Sequence, residues 1–285
     1  MAEFKSFFKT VQSGEGVRCK YPTRLDTFGC GCAHNCAYCY ARSLLSFRGM
    51  WRPESPAVAN ISKVRRMIER KLLPGDVVRL GGMTDCFQPA EIKERITYWT
   101  IKALNNMRVG YLIVTKSDII ARPEYLAILD PELAHVQISV TSTNDKISRA
   151  IEPGAPLPGR RMKAAERLQE IGIDTAVRLS PYVPEFVDPK VIEGIRCDKL
   201  QVEFLRVNGW IERWLADTGV SVDLSAYSLK EGGYKHLPIE TKKALLEKFG
   251  GGGHIISVCE DVDEHYEYWR DKFNPNPADC CNLRG

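Results

Sequence analysis

The segment Cys32-Ala-His-Asn-Cys36-Ala-Tyr-Cys39 places three thiols within eight residues. A loop this short can turn all three sulfurs toward one centre, and thiolates are the ligands of iron–sulfur clusters and of structural zinc. An iron–sulfur cluster ordinarily takes four cysteines, so a three-cysteine loop leaves one iron open to a further ligand. Zinc would need a fourth ligand, from His34 or Cys30. A thiol–disulfide redox pair would use Cys36 and Cys39 and leave Cys32 without a purpose. Spacing and placement together favour the open iron–sulfur cluster.

The other cysteines are unevenly placed. Of ten, Cys19, Cys30, Cys32, Cys36 and Cys39 crowd the N-terminal end, while Cys259, Cys280 and Cys281 gather at the C-terminal end. The start, MAEFKSFFKT, has no signal-type apolar block, and no uninterrupted apolar run is long enough to span a bilayer. A cytoplasmic protein is expected, with its thiols kept reduced, so clustering points to metal rather than to a disulfide framework. Cys259, Cys280 and Cys281 could ligate a second iron–sulfur cluster, with Cys19 or Cys30 as fourth ligand. Alternatively one of them quenches a product radical, or all three are simply buried. Adjacent cysteines do not readily bridge to each other, so Cys280 and Cys281 point to different partners.

These residues need a scaffold, and 285 residues at 44% hydrophobic and 27% charged supply a sizeable core while excluding disorder and fibrous repeats. The net charge of +4 permits an anionic partner without demanding one. Short β-rich runs at Leu25–Gly29, Val77–Gly82, Tyr111–Lys116, Val136–Thr141, Thr175–Ser180 and Leu200–Val207 alternate with amphipathic stretches. The clearest of these are Ala57–Leu73, Glu91–Asn105 and Arg160–Ile171. That alternation predicts βαβ units on a parallel sheet, and six units make an α/β partial barrel, (β/α)6, open where eight would close. Four strands end in polar or glycine-rich residues (GGMTD, TKSD, TSTND, SPY), and C-terminal strand ends line the site in such folds.

After Asn208 the pattern changes to Trp210, Trp214, Tyr227 and Tyr234 among glycines, with a flexible run at Gly250–Gly253. His254–Cys259 reads as one more strand, followed by an acidic, aromatic helix through Asp271. His236 reads as a surface histidine. The expected organisation is an N-terminal segment (1–20), a barrel (21–207) and a C-terminal extension (208–285) that covers the substrate.

A CxxxCxxC motif with an aromatic before the last cysteine resembles the radical S-adenosylmethionine (SAM) superfamily. The resemblance implies a [4Fe–4S] cluster on Cys32, Cys36 and Cys39 whose open iron is chelated by SAM. Reductive cleavage would then give a 5′-deoxyadenosyl radical that abstracts a substrate hydrogen, with the electron coming from a donor such as flavodoxin or ferredoxin. From about Tyr21 to Pro184 the stretches CAHNCAYCYARS, GGMTD, VTKSD, QISVTST, IEPGAP…RRMKAAERL and VRLSPYVP, in this order, are similar to the spore photoproduct lyase family.

That resemblance assigns Gly81, Gly82, Met83 and Thr84 to backbone contacts with the SAM amino group, the competing reading being a tight turn. It assigns Lys116 to the SAM carboxylate, against a solvated charge, and Ser139 to the ribose and carboxylate, against a small residue in a buried strand. Arg161 binds SAM or pairs with Glu152 to fix its loop. Ser180 and Tyr182 fall where the family makes backbone contacts to adenine. Tyr38 and Tyr40 match tyrosines that return a hydrogen atom to the cofactor, or else they pack around the cluster.

One departure is informative. The lyase carries a hydrogen-donating cysteine three residues before the aspartate of its TSD motif, where this chain has Gly82. The nearest thiol, Cys86, is either a relocated donor or an inert buried residue. The resemblance therefore implies an isomerase- or lyase-type enzyme acting on a thymine-type base, in DNA or in a modified nucleotide. Without the donor, rearrangement or modification of a thymine substituent, as in thymidine hypermodification, is favoured over lesion repair. Two other classes stay open: a radical SAM enzyme acting on a small metabolite or peptide, and a non-enzymatic zinc-knuckle module that binds RNA.

Overall fold

Apolar and β-branched residues are prominent in VVRL, GYLIVT, AHVQIS, DTAVRLSPY and KLQVEF, and each run forms a strand, the central three buried on both sides and the outer two partly so. A computed structural model of the chain describes residues 8–11, 18–249 and 253–284. The rest of the N-terminal segment and the glycines at 250–252 lie outside the described residues. The strands that bear on the site are β1 (Phe8–Thr10), β2 (Thr23–Leu25), β3 (Phe28–Gly29), β4 (Ala57–Val58), β5 (Val77–Leu80), β6 (Gly110–Thr115), β7 (Ala134–Ser139), β8 (Asp174–Tyr182) and β9 (Lys199–Phe204). A hairpin of β10 (Leu229–Glu231) and β11 (Tyr234–His236) precedes β12 (Ile255–Val258).

The main sheet runs β1-β2-β5-β6-β7-β8-β9-β12. From β2 to β12 every pair is parallel, and β1 closes the first edge antiparallel to β2. This is the expected partial α/β barrel with one further parallel strand. The segment read as His254–Cys259 pairs with β9, Ile256 opposite Leu200 and Val258 opposite Val202. The sheet therefore continues past residue 207, and the C-terminal extension is partly barrel.

Three expected elements are shorter or divided. The run Leu25–Gly29 splits at Asp26, whose carboxylate accepts the Met83 amide at 2.9 Å, so Phe28–Gly29 leaves the main sheet and pairs with β4. The helix expected over Ala57–Leu73 begins at Ile61, because the Asn60 side chain caps it by accepting the Lys63 amide. The helix expected over Glu91–Asn105 breaks at Arg95, which has a φ of +50°. Glu91 folds back there to accept the amides of Thr97 and Tyr98, each at 2.9 Å, which starts the second helix, Ile96–Asn106.

Alternation sorts the strand residues between two faces. Tyr111, Ile113, Val136, Ile138, Val177, Leu179, Leu200 and Val202 join the main core, together with Ile101, Leu104, Ala165 and Leu168 of the covering helices. Leu112, Gln137, Arg178, Gln201 and Glu203 take the other face, inside the curve of the sheet. The chain end packs there too. Gln201 donates to the Cys280 carbonyl and Lys199 to the Asn282 carbonyl, both at 2.6 Å, and the Tyr21 hydroxyl donates to Asp279 at 2.6 Å. No helix among the described residues is long and apolar enough to cross a membrane.

Candidate active site

The C-terminal ends of β5 to β9 and the loop after β3 enclose one cavity. Cys32, Cys36 and Cys39 line it with His34, the Gly81–Asp85 turn, Lys116, Ser139, Ser180 and the run from Glu203 to Arg206.

The cysteine loop is held from within and from behind. Asn35 takes a left-handed φ of +46° while its amide bonds the Cys32 carbonyl, and the Cys39 sulfur caps the helix Tyr40–Phe47 by accepting the Arg42 amide. Behind it lies the Glu152–Pro156 segment. The Ala37 amide donates to the Ile151 carbonyl at 2.8 Å, and the Gly154 amide to the His34 carbonyl at 3.3 Å. A Cβ at Gly154 would sit 1.8 Å from the Ala33 carbonyl oxygen, so only glycine lets the two loops meet. The EPGAP stretch is thus a buttress for the three thiols.

Burial pushes the Cys32 thiol up to about 12, with the Asp85 charge adding to it, and raises Cys36 and Cys39 as well. Metal binding here must therefore release protons. His34 is buried, and neither ring nitrogen has a hydrogen-bond partner among the described residues. Its Nδ1 lies 3.4 Å from Asp85 without hydrogen-bond geometry. Three free thiols and an unsatisfied imidazole facing one cavity suit a bound polar group such as an iron–sulfur cluster with its small-molecule ligand.

Two buried carboxylates organise the strand ends. Asp85 accepts the Thr115 hydroxyl and the Lys116 amide, both at 2.7 Å, which ties GGMTD to TKSD. Burial alone would raise its pKa, but His34 and these donors outweigh it and hold Asp85 at about 2. Glu152 is likewise held at about 2, burial being overcome chiefly by Arg161 and Lys116. It accepts bonds from Arg161 and from the Tyr38 hydroxyl. Lys116 reaches the Ser180 carbonyl at 3.2 Å and stands 4.0 Å from Glu152.

The glycine turn is equally constrained. Gly81 has a φ of +79°, and a Cβ there would come within 2.9 Å of the Val114 carbonyl oxygen. The Gly82 carbonyl accepts the Tyr40 hydroxyl, and the Arg206 guanidinium lies 4.8 Å from the Tyr40 ring centroid. Met83 and Thr84 line the cavity, although the Met83 amide is committed to Asp26.

Most of the residues selected from sequence come together in this cavity; three do not. Arg161 is fully buried behind it, donating to the Pro156 carbonyl at 2.6 Å and the Ser139 carbonyl at 3.2 Å beside its pairing with Glu152. Tyr182 packs between Phe204 and Phe249, centroids 5.7 and 5.3 Å away. Cys86, 1% exposed, belongs to the main core and does not line the cavity; burial pushes its thiol well up. His236 is not on the surface but 3% exposed, with Nε2 3.2 Å from the Glu231 carbonyl and Nδ1 3.7 Å from Asp261.

Sequence reasoning missed Arg178, Glu203 and Arg206. Arg178 bonds Gln137, Gln201 and Glu203, and Glu203 accepts the Ser180 hydroxyl at 2.7 Å. Glu203 stays ionised at about 2 because Arg178 and Arg206 outweigh its burial. For Arg178 and Glu203 the signal is a charge within an otherwise apolar strand, which marks a polar inner face; Arg206 follows the end of β9.

Similarity to known proteins agrees with this geometry. An uncharacterized protein of Methanocaldococcus jannaschii is 27% identical over 168 residues, 58% of this chain and 62% of that protein. An uncharacterized protein of Mycobacterium tuberculosis is 27% identical over 166 residues, 55% of this chain and 49% of that protein. The chain thus spans about half to three-fifths of the length of these relatives. Spore photoproduct lyase complexed with dinucleoside spore photoproduct superposes with a TM-score of 0.64 at 15% identity, covering 90% of this chain and 80% of that one. SuiB of Streptococcus suis bound to S-adenosylmethionine gives 0.51 at 13% identity, over 85% and 53%. At these identities the two structures establish the fold alone. The radical SAM superfamily profile matches residues 27–193, more than half of the chain and all of the cysteine loop. The chain belongs to the radical SAM superfamily and shares the fold of spore photoproduct lyase; the family's cofactors are a [4Fe–4S] cluster and S-adenosylmethionine.

Proposed function

We propose that this enzyme rearranges or modifies a thymine-type base, or a substituent on it, in DNA or in a modified nucleotide. The observation that carries this reading is the set of thiols facing the cavity. Among the described residues only Cys32, Cys36 and Cys39 do so, and all three are needed as ligands. Lesion repair of the lyase type quenches a base radical with a further thiol, and Cys86, buried in the core, is not available to a bound substrate. A rearrangement returns its own hydrogen and needs no such donor. The base itself is suggested by the order of motifs and by the fold shared with a lyase complexed with a dinucleoside.

In this reading Cys32, Cys36 and Cys39 hold the cluster. The Gly81–Thr84 turn, Lys116, Ser139 and Ser180 hold S-adenosylmethionine, with Lys116 supplying the positive charge for its carboxylate. When bound and reduced by one electron, from a carrier of the flavodoxin or ferredoxin class, the pair supplies a carbon-centred radical. Asp85 fixes the turn against β6, and Glu152 orients the Tyr38 hydroxyl. Tyr40, held to the Gly82 carbonyl and flanked by Arg206, is placed to receive or return a hydrogen atom at its phenolic oxygen. Residues 208–249 cover the substrate side, where Asn208 bonds Ser43 at 3.3 Å and Arg42 stacks 4.0 Å from the Trp214 centroid. Exposed Trp210 beside Trp214 offers a stacking surface for a base.

Cys86→Ala tests the thiol-independent route. The variant should give wild-type product yield within about twofold, and any solvent deuterium in product formed in deuterium oxide should be the same in the variant as in the wild type. A large loss of yield, or solvent deuterium in the wild-type product that disappears in the variant, would restore a thiol donor and with it lesion repair.

A further inference from the structure

Outside the cavity, four cysteines meet inside the curve of the sheet. Cys19 precedes β2, Cys259 follows β12, and Cys280 and Cys281 lie in the chain end that packs into the barrel. The thiols of Cys259 and Cys281 lie close enough to that of Cys280 to raise its pKa. Cys19 interacts with Cys281 and Cys259 and packs with Cys280 and Cys281 against Tyr21 and Leu112. None of the four is in a disulfide. We propose that Cys19, Cys259, Cys280 and Cys281 ligate a second iron–sulfur cluster inside the barrel, separate from the one on the Cys32–Cys39 loop.

Three observations favour this over isolated thiols or a single metal ion. The first is ligand number: four cysteines from three distant chain segments make the full complement of a cluster. Cys30, the other sequence-level choice for fourth ligand, sits on the first cysteine loop with its carbonyl bonded by the Arg52 amide. The second is charge. Four thiolates on an iron–sulfur core leave a net negative group, and two cations are within electrostatic reach of these thiols: Arg178, which bonds the Gln201 side chain that holds the Cys280 carbonyl, and Arg79. Both arginines also line the cavity, so they lie between the two thiol groups.

The third is spacing. Tetrahedral zinc, with Zn–S of about 2.3 Å, draws its thiolates to within about 3.8 Å of one another. Among the described residues only His236, Glu260 and Asp261 bring three ligand atoms within 4.8 Å of one another; neither cysteine group does. Neither cysteine group is drawn in to zinc spacing, which suits a multi-iron core. The chain end is fastened for such a role: the Cys281 amide donates to Asp279 at 2.9 Å, and the Cys280 carbonyl is held by Gln201. With every iron ligated by the protein, this cluster would carry electrons rather than bind substrate.

The test is anaerobic reconstitution of the full chain with ferrous iron and sulfide, followed by iron, sulfide and zinc analysis and Mössbauer spectroscopy. The wild type should hold about eight irons and eight sulfides per chain. The triple variant Cys32→Ala/Cys36→Ala/Cys39→Ala should keep about four of each, and Cys259→Ser/Cys281→Ser should also keep about four. About four irons in the wild type with none in the triple variant would overturn the proposal, as would one tightly held zinc in place of the second set of irons. The wild-type count decides the question even if a variant does not fold.

Discussion

Cys36→Ala should abolish iron binding at the outer loop and, with it, 5′-deoxyadenosine formation from S-adenosylmethionine. The effect is expected to be large because the loop supplies only three ligands, and even partners behind a ligand typically cost about 10–100-fold in metal affinity when replaced. Loss of a ligand itself should exceed about 10²-fold in turnover. The fold should survive, since the Ala37–Ile151 and Gly154–His34 backbone bonds that seat the loop do not involve the thiol. Iron content, visible absorbance and 5′-deoxyadenosine yield under dithionite measure the outcome. Normal turnover by the variant would remove Cys36 from the ligand set.

Glu152→Gln should produce the second large effect, this time on stability. Arg161 is fully buried, and Glu152 is its ion-pair partner. Replacing the carboxylate leaves an uncompensated guanidinium in the interior, a change that typically costs about 3–5 kcal/mol. Glu152 also accepts the Tyr38 hydroxyl, and its loop buttresses the cysteines, so iron retention should fall with the melting temperature. The pH dependence carries a definite sign. The folded state holds the Glu152 pKa at about 2, below the ordinary 4.5, so the protein binds this proton more weakly when folded. Its contribution is complete above about pH 4.5 and is lost as pH falls toward 2. Thermal unfolding from pH 6 to pH 3 should show that loss in the wild type, and a shallower dependence in Glu152→Gln.

The parallel sheet was legible from sequence because β6 to β8 are buried on both faces, and β5 and β9 largely so, which gives short runs rich in apolar residues at regular intervals. Their interruptions were also visible in kind: GGMTD, TKSD, TSTND and SPY stop the apolar pattern where strands reach the cavity. Side chains that cap at a distance were not legible. Asp26 breaks the first strand by bonding Met83, and Glu91 divides a helix by folding onto Thr97 and Tyr98, both contacts set by tertiary packing. The same limit separates Tyr38 and Tyr40, which reach the cavity, from Cys86, which does not. Cys86 is next to Asp85 in sequence, yet successive residues of the turn face opposite ways, one to the site and one to the core. Arg161 was left between two roles by sequence, and its 0% exposure beside Glu152 decides for the supporting one. Arg178 and Glu203 were passed over because a charge in a strand looks like a solvated face until the sheet is known to curve around it.

The most direct measurement is anaerobic 5′-deoxyadenosine formation by the reduced, reconstituted enzyme, comparing no substrate, ultraviolet-irradiated thymine DNA, and DNA bearing amino-acid-substituted thymidines. Stimulation by the substituted thymidines and not by irradiated DNA is the predicted result. Stimulation by irradiated DNA alone would contradict it in favour of lesion repair, and a background rate unchanged by either DNA would move the substrate to small metabolites or peptides.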